Sequence, residues 1–153
     1  NRDVIVMLRS IGGPQNAKAW LENELRENRK IPGFGHRVYK VKDPRATILQ
    51  SLCERLFREC GPSPLYEVAL EVERISAELL EGKGIYPNVD FYSGIIYDKM
   101  GMEVEFFTPV FAMARVTGWL AHWFEQLREN KLFRPDQIYE GEHNRPYVPI
   151  EKR

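Results

Sequence analysis

The chain has 153 residues, with 22 lysines and arginines set against 22 aspartates and glutamates and a formal net charge of zero. That length suffices for one domain with a real core, and neutrality excludes a global field that would draw in nucleic acid or an acidic membrane surface, so any cationic site must be local. No apolar run approaches the ~18 residues of a membrane-spanning helix, and NRDVIVMLRSIGG lacks both a signal-peptide cleavage pattern and an initiator Met, which suggests a piece of a longer chain.

In chain order, the first expected helix covers Asp3 to Ser10 and stops at the Gly-Gly pair, and a second covers Pro14 to about Asn28, where the polar run ENRK breaks it. Asp43-Pro44 supplies an N-cap and a first-turn proline, and Leu49, Leu52, Cys53, Leu56, Phe57 and Cys60 recur at helical spacing, which predicts a helix from Pro44 to Cys60. After GPSP the same spacing returns at Leu65, Val68, Val72, Ile75 and Leu79 and ends before Gly82 and Gly84. A further helix is expected from Pro87 to Met100, and a long one from near Pro109 to about Asn130. Pro135, Gly141, Pro146 and Pro149 mark the remainder as a non-periodic, extended arm. Nothing alternates with period two, so the expected class is all-α, with GMEVEFFTP as a hinge between the first hundred residues and the last fifty. Cys53 and Cys60, on one helix face but about 10 Å apart, are too distant to bridge and are expected to be reduced, buried thiols of a cytoplasmic protein.

Three stretches carry chemistry. In GFGHRVYKVKDPRA, Gly33 to Ala46, two glycines allow close backbone approach, and His36, Arg37, Lys40, Lys42 and Arg45 gather beside the N-terminus of a helix. That combination suits a carboxylate or phosphate, while the plainer reading makes His36 a loop cap and the cations a solvated rim. In YPNVDFYSG, Asp90 falls in the first turn of a helix, where the dipole favours its ionised form. A base and simple helix-start chemistry both fit. In FAMARVTGWLAHW, Arg115 interrupts an apolar helix, and a guanidinium buried there needs an anionic partner, either a substrate carboxylate or a structural ion pair. His122, Trp119 and Trp123 are expected to pack a core.

Taken with NKLFRP, these stretches stand in the order and spacing of one family: the sequence resembles the C-terminal part of citrate synthase over nearly all of its length. The resemblance implies a multi-helical small domain over residues 1–103 and a C-terminal segment of the large domain over 104–153, consisting of a helix and an extended arm. It implies that His36 polarises and protonates the oxaloacetate carbonyl and that Asp90 removes a methyl proton from acetyl-CoA. Arg45, Arg115 and Arg134 would grip the carboxylates of oxaloacetate or citrate, Arg134 by reaching into a neighbouring subunit. Lys40 and Lys83 would meet coenzyme A phosphates, and Ile31 to Gly33 would border the adenine.

The implied activity condenses acetyl-CoA with oxaloacetate and hydrolyses the citryl thioester, with coenzyme A arriving as substrate rather than as a cofactor. The implied assembly is a homodimer, without nucleic acid or membrane. A second family histidine, in a motif upstream of the segment like NRDVIVMLRSIGG, has no counterpart here, so this chain alone is expected to be nearly inactive. No metal is expected, since the three histidines and the acids show no ligand spacing. Two rivals remain. One is 2-methylcitrate synthase, which uses propionyl-CoA and is disfavoured slightly by Gly94 after Ser93. The other is a helical module that binds coenzyme A without catalysis.

Overall fold

The computed structural model describes residues 1–131 and 138–152, and among these every regular element is helical, so the chain is all-α. The single departure is an isolated antiparallel bridge between Phe34 and Pro87. The chain divides into two compact units, Asn1–Arg115 and Val116–Arg153.

In the first unit, α1 covers Arg2–Ile11 and buries Val4, Ile5, Met7, Leu8 and Ile11, a stripe at three- and four-residue spacing. It stops at Gly12, which takes φ 76° and returns its N–H to the Leu8 carbonyl. The expected second helix is split: Pro14–Asn16 form a 3-10 turn and α2 covers Ala17–Arg26. The Asn16 amide donates to the Ile11 carbonyl and holds that tighter turn against the end of α1.

The helix α3 covers Pro44–Cys60 and α4 covers Pro64–Leu79, both as expected. Between Val89 and Lys99 lies α5, which begins later than the sequence suggests. Pro87 is engaged in the bridge to Phe34, and Asn88 is the cap, accepting from the Asp90 N–H.

Helix α5 is the centre of the core, packing on α1 and α3, while α4 packs on α1 and α2. Phe91, Tyr92 and Ile95 are fully buried on it, each worth about 1.5–3 kcal/mol of transfer free energy. The close approach of α1 depends on Gly94, where a Cβ would lie 2.9 Å from the Asn1 carbonyl oxygen. Cys53 is buried against α5, and burial pushes its thiol up to about 12. Cys60 is exposed, contrary to expectation: it sits in the last turn of α3, where Arg58 and Glu59 are exposed too.

The helix α6, Phe107–Arg128, follows a 3-10 turn at Val104–Phe106 and starts before Pro109. Proline is tolerated there because the first helical turn has no use for its N–H. Phe107 is buried, with its ring 5.2 Å from that of Tyr97. In the second unit α6 continues to Arg128, and the described residues beyond it are irregular apart from a 3-10 turn at Ile150–Lys152. Trp119 and Trp123 are 58% and 56% exposed and His122 is exposed, which corrects the expectation that they pack a core. Within this unit no described residue covers that face, and Trp123 touches only its neighbour Phe124 among the described rings.

Candidate active site

The loop between α2 and α3 is held where it must turn most sharply. Gly33 takes φ 81°, and a Cβ there would lie 2.8 Å from Val4 and 2.9 Å from Phe91, so only glycine combines that backbone with that contact. Its carbonyl accepts from the Asn88 N–H at 2.8 Å, and the Gly35 N–H donates to the Tyr86 carbonyl at 2.9 Å. Asn88 uses both ends of its side chain. Its Oδ1 accepts from the Asp90 N–H at 2.9 Å and starts α5, while its Nδ2 donates to the Gly35 carbonyl at 2.9 Å. One residue therefore sets both the loop that carries His36 and the helix turn that carries Asp90.

His36 Nδ1 accepts from the backbone N–H groups of Val38 and Tyr39, each at 3.1 Å. Two donors aimed at Nδ1 leave the ring proton of the neutral imidazole on Nε2, which makes Nε2 the donor. The ring stacks on Tyr39 with centroids 4.5 Å apart, and the Arg45 guanidinium carbon lies 5.9 Å from the same Tyr39 ring.

Arg45 binds Asp43 through Nε at 3.0 Å and Nη2 at 2.7 Å, while the Arg45 backbone N–H caps onto Asp43 Oδ1 at 2.9 Å. Asp43 is only 1% exposed. Its carboxyl is held below the usual range, first by the hydrogen bond from Arg45 and to a lesser degree by His36. Arg45 is raised in turn, chiefly by Asp43 and further by Tyr39 and Asp90. The expected free cation is thus a paired one, with two of its five N–H donors engaged on Asp43 and three left over. Asp90 is half exposed, with Oδ1 3.7 Å from the Asn1 nitrogen. Asn88 ties the His36 loop to the helix turn of Asp90, and Arg45 is near enough to Asp90 to feel its charge. A ring donor, a guanidinium and a half-exposed carboxylate are groups that can hold an anionic carbonyl compound and move a proton beside it.

A groove of about 690 Å³ opens beside His36, which lines it together with Ile31 and Lys83. Its lining joins apolar side chains, Leu25, Phe34 and Leu80 among them, to cations, a composition suited to a flat apolar group bearing phosphates. Arg37 lines it too, a position the sequence marked only as one of several loop cations. Gly33 and Lys40 lie outside the lining; Lys40 is exposed, and its carbonyl passes 3.5 Å from where a Gly84 Cβ would stand.

Arg115 is half-buried rather than enclosed, resting over the Phe111 ring at 4.3 Å, and no hydrogen bond or ion pair joins it to His36, Arg45 or Asp90. A helix surface that is open on one side gives its guanidinium a ring in place of the anion that full burial would demand. Arg134 lies outside the described residues.

Comparison with known proteins gives a consistent result. The profile of the family "Citrate synthase, C-terminal domain" matches residues 1–136. A citrate synthase from Synechocystis is 54% identical over 153 residues, covering 100% of this chain and 38% of the relative. One from Acidithiobacillus ferridurans is 49% identical, covering 100% and 40%. Among solved structures, citrate synthase from Thermotoga maritima aligns with a TM-score of 0.78 at 41% identity, over 99% of this chain and 41% of that one. The ternary complex of Thermoplasma acidophilum citrate synthase with carboxymethyl coenzyme A and oxaloacetate aligns with a TM-score of 0.76 at 38% identity, over 99% and 41%. The chain spans about two-fifths of the length of these relatives. With the family profile covering most of its residues, the chain belongs to the citrate synthase C-terminal domain family.

Proposed function

We propose that this chain is part of a citrate synthase that condenses acetyl-CoA with oxaloacetate and hydrolyses the resulting citryl-CoA to citrate and coenzyme A. The observation that carries the reading is the shared setting of His36 and Asp90 by Asn88, with His36 Nδ1 occupied by two backbone N–H groups. Asp90 takes a methyl proton from acetyl-CoA, and the carbon so freed forms a bond to the oxaloacetate ketone. His36 Nε2 delivers its proton to the ketone oxygen as that bond forms. Water then cleaves the thioester, giving citrate and the coenzyme A thiol.

Guanidinium forks bind and orient the dianion, and this is the work of Arg45, Arg115 and Arg134. The groove beside His36 takes coenzyme A, with Ile31 against the adenine and Lys83 near a phosphate, while Gly33 and Lys40 serve from its margin. A methyl proton of a thioester is so weakly acidic that its removal also needs a donor on the thioester oxygen. The resemblance places that donor upstream of Asn1, so the 153-residue chain alone is expected to be nearly silent. Residues 1–103 act as a small domain that closes about the GMEVEFF segment, and the full protein is a homodimer. The free thiols of Cys53 and Cys60 fit a reducing compartment such as the cytoplasm. Acetyl-CoA as the acyl donor has the support of the citrate synthases to which the chain is similar.

The test is a thiol-release assay in a full-length citrate synthase containing this chain, with acetyl-CoA and propionyl-CoA side by side. Asp90→Asn should lower kcat by about 10²–10⁴-fold with the protein still folded. Unchanged turnover in Asp90→Asn would remove the base from this reading. Coenzyme A binding without turnover of either acyl donor would favour a binding module.

A further inference from the structure

The loop that carries His36 has few ways of staying in place. From His36 to Lys42, backbone hydrogen bonds among the described residues run only to the His36 ring itself, and Val38 and Val41 are exposed, so no apolar burial pins them. Among the described residues, the hydrogen bonds that leave this stretch for the rest of the fold all come from Lys42.

Lys42 Nζ lies 2.5 Å from Glu73 Oε1 on α4 and 2.9 Å from Gln50 Oε1 on α3. Gln50 Nε2 approaches the other Glu73 oxygen at 3.5 Å, and the hydroxyl of Tyr92 on α5 donates to that same oxygen. Glu73 is only 18% exposed and Tyr92 is fully buried. Burial, together with the bond to Glu73, holds the Tyr92 phenol well above its usual range, so it remains a donor to the carboxylate. An ion pair between free side chains on a surface does little. This one is anchored in three helices on one side and ends, on the other, at the residue before the Asp43 cap.

We propose that Lys42, tethered by Glu73, Gln50 and Tyr92, is a positioning residue that fixes the register of the loop from His36 to Arg45 against α5. The proposal rests on the citrate synthase reading for its consequence in activity, and on the geometry alone for its consequence in structure. Lys42 touches none of the reacting groups; it acts through His36 and Arg45. Because the Val38 and Tyr39 amides are bonded to His36 Nδ1, their exchange with solvent reports the setting of that ring directly.

The experiment compares Lys42→Met and Lys42→Arg with wild type in a full-length citrate synthase containing this chain, reading steady-state kinetics and amide hydrogen exchange. Lys42→Met should lower kcat about tenfold while leaving KM for acetyl-CoA within about twofold, since a small misplacement of a reacting group is costly and most of the groove wall, Leu25 to Phe34 and Leu80 to Ile85, lies outside the tethered loop. Exchange at Val38 and Tyr39 should rise about tenfold, with Leu8 and Ile95 in the core unchanged. Lys42→Arg, which keeps the charge and the donors, should restore most of kcat. Unchanged kcat in Lys42→Met, or exchange rising equally at all four amides, would overturn the proposal. If the wild-type protein itself shows no condensation, the functional reading fails, and the exchange comparison then decides the tether: a rise confined to the loop upholds it and a uniform rise sinks it.

Discussion

Helices α5 and α6 are both rich in apolar residues, yet they sit in opposite circumstances. On α5, Phe91, Tyr92 and Ile95 are enclosed by α1 and α3, and the helix begins at a cap that also grips the His36 loop. On α6 only Phe107 is buried, while Trp119, Trp123, Phe124 and Leu127 stand out from the surface. Apolar composition reports that a helix face wants cover, and does not report where the cover comes from. The difference also separates two arginines: Arg45, beside the enclosed helix, has a buried carboxylate, and Arg115, on the open one, has a ring face.

The sharpest way to break this comparison is a matched pair of truncations, Phe91→Ala on α5 and Phe124→Ala on α6. Phe91→Ala should cost about 3–5 kcal/mol in denaturant unfolding, because it leaves a cavity under α1. Less severe is Gly33→Ala, at about 2–4 kcal/mol, since alanine is strained at that φ and its methyl group meets Val4 and Phe91. Because α5 and the loop share that contact, the coenzyme A binding proposed for the groove should weaken along with stability.

Asp43→Ala removes a cap and should cost about 1–2 kcal/mol at neutral pH. The Asp43 carboxyl is depressed in the folded state by its bond from Arg45, so its contribution is present above the ordinary carboxylate value and is lost as pH falls through the folded one. The gap between wild type and Asp43→Ala should therefore narrow below about pH 4, and a constant gap would show that the ion pair adds nothing. The smallest effect is expected at Phe124→Ala, under about 0.5 kcal/mol in the isolated chain. A large loss there would mean that the α6 face is already covered.

The long helices were legible because their punctuation is local: Asp43-Pro44 opens α3 and Gly61 follows it. The start of α5 is not legible in the sequence, because Pro87 resembles a first-turn proline, whereas its pairing with Phe34, far away in sequence, reserves it for the bridge. His36, Arg45 and Asp90 could be named from residue type and motif, and the cap at Asp43 could be read as well. That Asp43 also holds the Arg45 side chain could not, since a cap and an ion pair leave the same two letters in the sequence. Glu73, thirty-one residues from Lys42, carries no local mark of its partner, and the groove wall contributed by Leu80 and Ile85 follows only from how α4 ends beside the loop. The exposure of Trp119 and Trp123 is hidden for a complementary reason: helical spacing of aromatics is the same whether or not anything lies over them.

The double use of Asn88 narrows what this position can tolerate. Aspartate would keep the acceptor for the Asp90 N–H but turn a carboxylate oxygen toward the Gly35 carbonyl. Serine or threonine would cap the helix and leave the Gly35 carbonyl without its side-chain donor, and glutamine would carry both functions one methylene too far. A saturation library at this codon, selected for turnover, should therefore return to a single amino acid, and alternatives should emerge only alongside a second change that re-anchors the loop.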